Sequence, residues 1–452
     1  MEQRNFEPLL ILGTAGIFLF LLSAFFLDNF SAGRQAIAPI ISRPDTTTVQ
    51  PTKTDDNPDN LKSLLKDHDT IGNLLTGMEL FYKALQGVET DHTLLHIGYF
   101  GDSMIEGDLV TQSLRRAMQK RFGGNGVGFV PVTTPNPGFR ITVKQSFNDS
   151  WNIFSFIHHG KPGEESPGIS GYVYISGQGA ETRYESAAGY GRFHRAEILF
   201  GGVNEIKLEV IEDTTIRYLS LVPDPASAVS SFGVSSDSAF SAFEMQVKSQ
   251  KPGVIYGVNF ENGPGVYVDN YAFRGNSGLP LNSVPAGVFS GFNRILKNKL
   301  LVLHYGLNVF TPGVEDYHWY EQAMTNVIRH VKESSPGISI LMISMPDRSA
   351  LISGEYQTPA GLPDFIRMQQ RIAATEHIAF FNLYQAMGGA GSMKRWVEGE
   401  PKLAGDDYTH PNGSGAARIA SMVHEFLMKG YERYHSHPDS LVSLNLPNLN
   451  HE

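Results

Sequence analysis

The 452-residue sequence contains no cysteine. That absence excludes disulfides, thiol nucleophiles, cysteine-based zinc sites and a lipidated N-terminal cysteine. It leaves the redox compartment open, because proteins of oxidising compartments need not carry disulfides. Basic clusters are missing too: there is no Lys/Arg run, the formal net charge is −10 and the pI is near 5.8. A nucleic-acid partner needs a concentrated basic face, so that class is excluded. Long apolar runs are scarce, but the N-terminus carries one, Leu9 to Leu27, about nineteen residues without a charge.

That run is long enough to cross the hydrocarbon core as a helix. A cleavable signal peptide is the rival reading, but its leading segment is usually basic, whereas Glu2, Arg4 and Glu7 roughly balance here. The sequence therefore predicts an uncleaved N-terminal transmembrane helix within residues 1–30, with the rest of the chain outside the cytoplasmic membrane. The flanking charges are too few to fix the orientation, so export rests on the chemistry below. Residues 31–60, rich in Pro, Thr, Ser and Asp, read as a flexible linker. Residues 61–92 carry Leu61, Leu64, Leu65, Ile71, Leu74, Leu75, Met78, Phe81 and Leu85 at mostly helical spacing, which predicts helices packed on the following domain.

Leu94 to Phe100 is an apolar strand that stops at Gly101 and delivers Asp102 and Ser103 into a turn. The stripe Ile105, Leu109, Val110, Leu114 and Met118 predicts a helix after it. Between about residues 133 and 250 the pattern changes to short β-branched and aromatic runs such as YVYIS, EIKLEV and IRYLSLV without helices between them. This predicts an inserted all-β domain of the sandwich or jelly-roll kind. Strand–helix alternation resumes with GVIYGVNF at Gly253 to Phe260 and continues through residues 251–430, as in a parallel sheet wrapped by helices. Residues 431–452 form a polar tail without pattern.

A hydroxyl at the carboxyl end of a strand in such a sheet is exposed to ligand, although Gly-Asp-Ser is also ordinary turn and capping chemistry. A serine nucleophile needs an imidazole to take its proton and a carboxylate to fix that imidazole's tautomer. Asp407 and His410, in the loop GDDYTHPNGSG before the last helix, supply that pair. The neighbouring Asp406 competes with Asp407, and the three-residue step to His410 favours Asp407. Candidate oxyanion donors are the N–H of Ser103, the N–H of Gly275 in AFRGNSG and the side-chain amide of Asn308 in HYGLNVF.

These four blocks, Gly101-Asp102-Ser103, Gly275, Gly306-x-Asn308 and Asp407-x-x-His410, resemble those of the SGNH (GDSL) hydrolase family. The resemblance implies a flavodoxin-like three-layer α/β/α core with a parallel sheet. It also implies Ser103, His410 and Asp407 as catalytic triad, and Ser103, Gly275 and Asn308 as oxyanion hole. Val309 stands where the family usually has an acidic residue. With GGNGVGFVPV, DNYAFRGNSG and the β-rich insertion, the chain is similar to the peptidoglycan O-acetylesterase branch, whose insertion resembles a carbohydrate-binding module. This implies a serine esterase acting on an extracytoplasmic acetylated glycan. An O-acetyltransferase and a catalytically silent glycan-binding protein are the alternatives. No cofactor or metal is expected, since His158, His159 and the other histidines lack zinc-ligand spacing. Tyr172, Tyr174, Tyr184 and Tyr190 fit either sugar stacking or a sandwich core, the core being commoner.

Overall fold

The computed structural model describes residues 75–157 and 166–436. Its central sheet has five parallel strands, in the spatial order Gly265–Ala272, Leu94–Gly101, Asn298–His304, Ser339–Ile343 and Ala379–Phe381. Numbered along the chain this is order 2-1-3-4-5, the doubly wound arrangement in which ligands bind beyond the carboxyl ends of the strands. These strands are nearly continuous apolar runs because both faces are covered. One face packs on helices Ala286–Leu296, His318–Ser334 and Leu362–Thr375 through residues such as Phe289, Met324 and Phe365. The other packs on Glu79–Asp91, Thr111–Phe122 and Gly413–Ser436 through Phe81, Leu114 and Ile419.

The β-rich segment forms two antiparallel sheets, one of six strands and one of five, that share a core containing Tyr184, Phe193, Phe243 and Phe260. The six-stranded sheet turns its other face, with Phe129, Val173, Leu199 and Tyr256, into the same cluster as the α/β sheet and helix Ala286–Leu296. The two parts therefore share one continuous core.

The expected fold class requires correction. The transmembrane helix expected at residues 9–27 lies outside the described residues, and among the described residues no helix is long and apolar enough to cross a membrane. What the chain forms is a mixed α/β fold with parallel and antiparallel sheets. Linker residues 31–60, His158 and His159 also lie outside the described residues.

Strand membership is corrected as well. Val254–Asn262, expected to resume the parallel sheet, pairs antiparallel with Phe193–Gly201, Asn125–Pro131 and Tyr172–Ser176. It is buried on both faces, Tyr256 towards the α/β core and Phe260 towards the sandwich, so it carries the apolar run of a parallel strand. The second core strand is instead Gly265–Ala272, whose Asp269 and Asn270 interrupt the apolar run. Asp269 is fully buried and bonded to His96 Nδ1 at 2.8 Å and to the Phe129 N–H at 2.8 Å. Gly128, at φ +70°, permits this approach, because a Cβ there would lie 2.2 Å from Asp269 Oδ1. Two helices also differ from expectation. Ser103–Asp108 is a 3₁₀ turn set off from Thr111–Phe122 by positive φ at Gly107 and Asp108. The last helix runs on to Ser436, where buried Tyr431 packs against Phe122 and bonds Glu89 at 2.7 Å.

Candidate active site

Ser103 opens the 3₁₀ turn at the carboxyl end of Leu94–Gly101, and the preceding Asp102 caps that turn by accepting the Met104 N–H at 3.0 Å. Capping and presentation thus fall to adjacent residues. Ser103 Oγ lies 2.9 Å from His410 Nε2. On the far side of the ring, Nδ1 lies 2.7 Å from Asp407 Oδ2. With Nδ1 protonated, Nε2 is the free acceptor facing the serine hydroxyl.

The loop that carries His410 is fastened locally. Asp407 Oδ1 accepts the N–H groups of Thr409 and His410, each at 3.0 Å. Gly405 N–H donates to the His410 carbonyl at 2.9 Å, and Ser349 N–H to the Tyr408 carbonyl at 2.9 Å. Tyr408, at φ 52°, stacks on Tyr356 with centroids 3.5 Å apart. Partial burial works against the Asp407 carboxylate, but the His410 N–H and imidazole and the Thr409 N–H outweigh it and hold its pKa below the ordinary value. Asp406 points elsewhere and pairs with Lys402. The histidine and its carboxylate stay open to solvent, at 41% and 52% side-chain exposure.

Asn308 reaches the site from the turn after Asn298–His304. Its Nδ2 donates to Asp102 Oδ2 at 2.9 Å and to the Asn276 carbonyl at 3.2 Å. An amide nitrogen has two protons, so any further acceptor must displace the longer of these bonds. Asp102 is 1% exposed. Burial pushes its carboxyl up to about 6 against the Met104 N–H, the His410 imidazole and the Asn308 amide, which favour its ionised form. Val309, in the place of an acidic residue, is buried in the core, and its N–H closes the turn on the Gly306 carbonyl at 3.0 Å. Gly275, at φ +76°, has open space where a Cβ would project. It sits between Arg274, which pairs with Glu106 at 2.6 Å, and Asn276.

Ser103, His410 and Asp407 are therefore joined in one hydrogen-bonded row, and Asn308 is joined to the residue before the serine. The roles of Asn276 and Asp102 in holding Asn308 escaped sequence reading; only the adjacency of Asp102 to Ser103 and of Asn276 to Gly275 hinted at them. Of the tyrosines, Tyr174 and Tyr184 fill cores, and Tyr190 bonds Gln112 at 3.0 Å. Tyr172 lines a cavity between the Glu106–Asp108 turn and the loop at residues 133–140. Among the described residues no group of three or more His, Asp or Glu could hold a metal ion.

No sequence family and no curated protein sequence matches the chain. Solved structures do. A peptidoglycan O-acetylesterase superposes with a TM-score of 0.65 at 22% identity, covering 78% of this chain and 96% of that one. That likeness establishes a shared fold across the α/β core and the β-rich segment. A family two carbohydrate esterase from Clostridium thermocellum, solved with cellohexaose, gives a TM-score of 0.26 at 12% identity over 64% of this chain and 99% of that one.

Proposed function

We propose that the protein is a serine esterase that removes O-acetyl groups from a glycan, with O-acetylated peptidoglycan as the substrate. The observation that carries this reading is the continuous row Ser103 Oγ, His410 Nε2, His410 Nδ1 and Asp407 Oδ2, with contacts of 2.9 and 2.7 Å. The fold held in common with a peptidoglycan O-acetylesterase supports the choice of substrate.

In this mechanism His410 Nε2 takes the Ser103 proton as Oγ attacks the acetyl carbonyl, and Asp407 holds the imidazolium that forms. The oxyanion is received by the N–H groups of Ser103 and Gly275 and by the Asn308 amide, which exchanges its 3.2 Å bond to Asn276 for the developing charge. His410 returns the proton to the departing sugar oxygen. Water, deprotonated by the same nitrogen, then releases acetate from Ser103. The exposure of His410 and Asp407 gives water ready access to the acetyl-enzyme. A cell-wall substrate places the working site outside the cytoplasmic membrane.

The test is acetate release from O-acetylated peptidoglycan by the purified protein and by Ser103→Ala, together with mass spectrometry after a serine-directed phosphonate. The expected result is acetate from the wild type only and a single phosphonylated residue, Ser103. Undiminished release by Ser103→Ala would overturn the mechanism, and acetyl groups recovered on an added sugar acceptor rather than as acetate would turn the reading to a transferase.

A further inference from the structure

We propose that the cavity opening beside the Ser103 turn is a subsite for one sugar ring of the glycan, and that the β-rich segment builds its outer wall. This rests on the esterase reading and extends it to what selects the substrate. The cavity measures ≈ 140 Å³ and lies between the Glu106–Asp108 turn, the loop at residues 133–140 and the strand end at Ala272. Glu106 is three residues beyond Ser103, and Arg274, on the cavity's rim, immediately precedes Gly275. The catalytic residues do not line the cavity; its nearest links to them are the Ser103–Asp108 turn and the Arg274–Gly275 peptide, so a ring held here is one that neighbours the ester under attack.

The walls are suited to a pyranose. Tyr172 lines the cavity, its ring held by stacking on Phe273 at 4.9 Å, and Phe139 lies at the mouth, 42% exposed. Such rings take the C–H face of a sugar while polar groups at the edges take its hydroxyls. Ser170 also lines the cavity. It is 5% exposed, and its Oγ is buried without any hydrogen-bond partner. A buried hydroxyl left unpaired is costly, and a rotation of the Ser170 side chain would turn it to a ligand hydroxyl or acetamido group in the cavity.

The rim is organised in advance. Glu106 accepts from Asn136 Nδ2 at 2.9 Å and from Arg274 Nε at 2.8 Å, so one carboxylate ties the 133–140 loop to the strand end beside Gly275. Among the described residues Asn136 Oδ1 accepts no side-chain or backbone donor. Ser170, Tyr172 and Asn136 all come from the β-rich segment or the loop leading into it. The segment thereby belongs to the esterase site itself.

The test uses the full chain with two substitutions. Ser170→Leu fills the cavity, and Asn136→Ala, at an exposed position, guards against a folding defect in the first. For each, kcat/KM is measured on O-acetylated peptidoglycan fragments and on a small aryl acetate. The ratio of the two is expected to fall at least about tenfold for Ser170→Leu and about threefold for Asn136→Ala, with the change in KM for the glycan. In the Ser103→Ala background, the calorimetric affinity for the de-O-acetylated N-acetylglucosaminyl–N-acetylmuramic acid disaccharide should fall by similar factors. An unchanged ratio in both variants, or undiminished disaccharide binding, overturns the subsite. If no variant and no wild type releases acetate from either ester, the esterase reading fails, and the binding measurement still decides the cavity.

Discussion

Asn308 donates its side-chain amide to the buried carboxylate of Asp102 across 2.9 Å. The residue before the nucleophile thus orients the proposed oxyanion donor, and neither can shift alone. Asn308→Ala should lower kcat for acetate release by about 10²–10³, the usual loss for one oxyanion donor. Asp102→Asn should have a smaller effect, about tenfold. Its single amide oxygen can serve either Met104 or Asn308 but not both, leaving a buried donor unpaired at a cost of about 1–3 kcal/mol. Both variants should still react with a serine-directed phosphonate, because the Ser103–His410 pair is untouched. Wild-type kcat in Asn308→Ala would remove Asn308 from the oxyanion hole.

Asp407 and Asp406 should separate sharply. Asp407→Asn keeps the shape of the loop but offers Nδ1 an amide in place of a carboxylate, which favours the wrong tautomer, and kcat should fall by about 10⁴. Asp406→Asn, which loses only an exposed contact to Lys402, should stay within about twofold of wild type. Circular dichroism of both proteins would establish that each is folded. Because the Asp407 pKa is depressed, its ionised contribution is complete above the ordinary carboxylate range and is lost only as pH falls through the lowered value. Loss of activity well above that value does not report on Asp407.

The parts of this site that could be read from sequence are those whose chemistry is local. Asp407 and His410 are three residues apart in one loop, and the Gly101-Asp102-Ser103 turn follows directly on its strand. Asn308 could be placed at a strand end, but its bonds to Asp102 and Asn276 join three distant segments and leave no periodic trace. The same holds for the cavity that Ser170, Tyr172 and Arg274 line together. In the fold, Gly265–Ala272 takes the place expected for Val254–Asn262 because burial, and not sheet type, sets the apolar pattern. The antiparallel strand is buried on both faces, whereas the parallel one carries a buried aspartate whose histidine partner lies 173 residues away. Membrane insertion was inferred from a run that the described residues do not include.

Asp108 holds the floor of the site turn. Its carboxylate is fully buried and bonds Arg115 at 2.8 and 2.9 Å, Thr142 at 2.8 Å and Thr111, with Arg140 at 3.4 Å. Burial opposes its charge, but the two guanidinium groups outweigh it and hold the pKa at about 2. Replacing it by Ala leaves the buried Arg115 without its counter-charge and takes one of two from Arg140, and breaking such a buried pair costs about 3–5 kcal/mol. Urea denaturation at pH 7 should register a loss of that size for Asp108→Ala. A change below about 1 kcal/mol would mean that water or a rearranged carboxylate replaces it.

His96 predicts how stability depends on pH. It is fully buried at the seam between the parallel sheet and the β-rich segment, stacked on Tyr267 at 4.9 Å, with Asp269 at 2.8 Å and Glu261 at 3.2 Å on its two nitrogens. Burial disfavours the imidazolium, but the two carboxylates prevail and raise its pKa to about 9. The folded value lies above the unfolded one, so the native state binds the extra proton. Its stabilisation is complete below about pH 6.5 and is lost as pH rises through about 9, amounting to about 3 kcal/mol. The urea midpoint should therefore fall between pH 7 and 9.5 in the wild type. His96→Gln should be less stable at pH 6 and should flatten that slope, because the group that titrates is gone. An equal slope in wild type and variant would assign the pH dependence to other groups and leave His96 neutral in the folded protein.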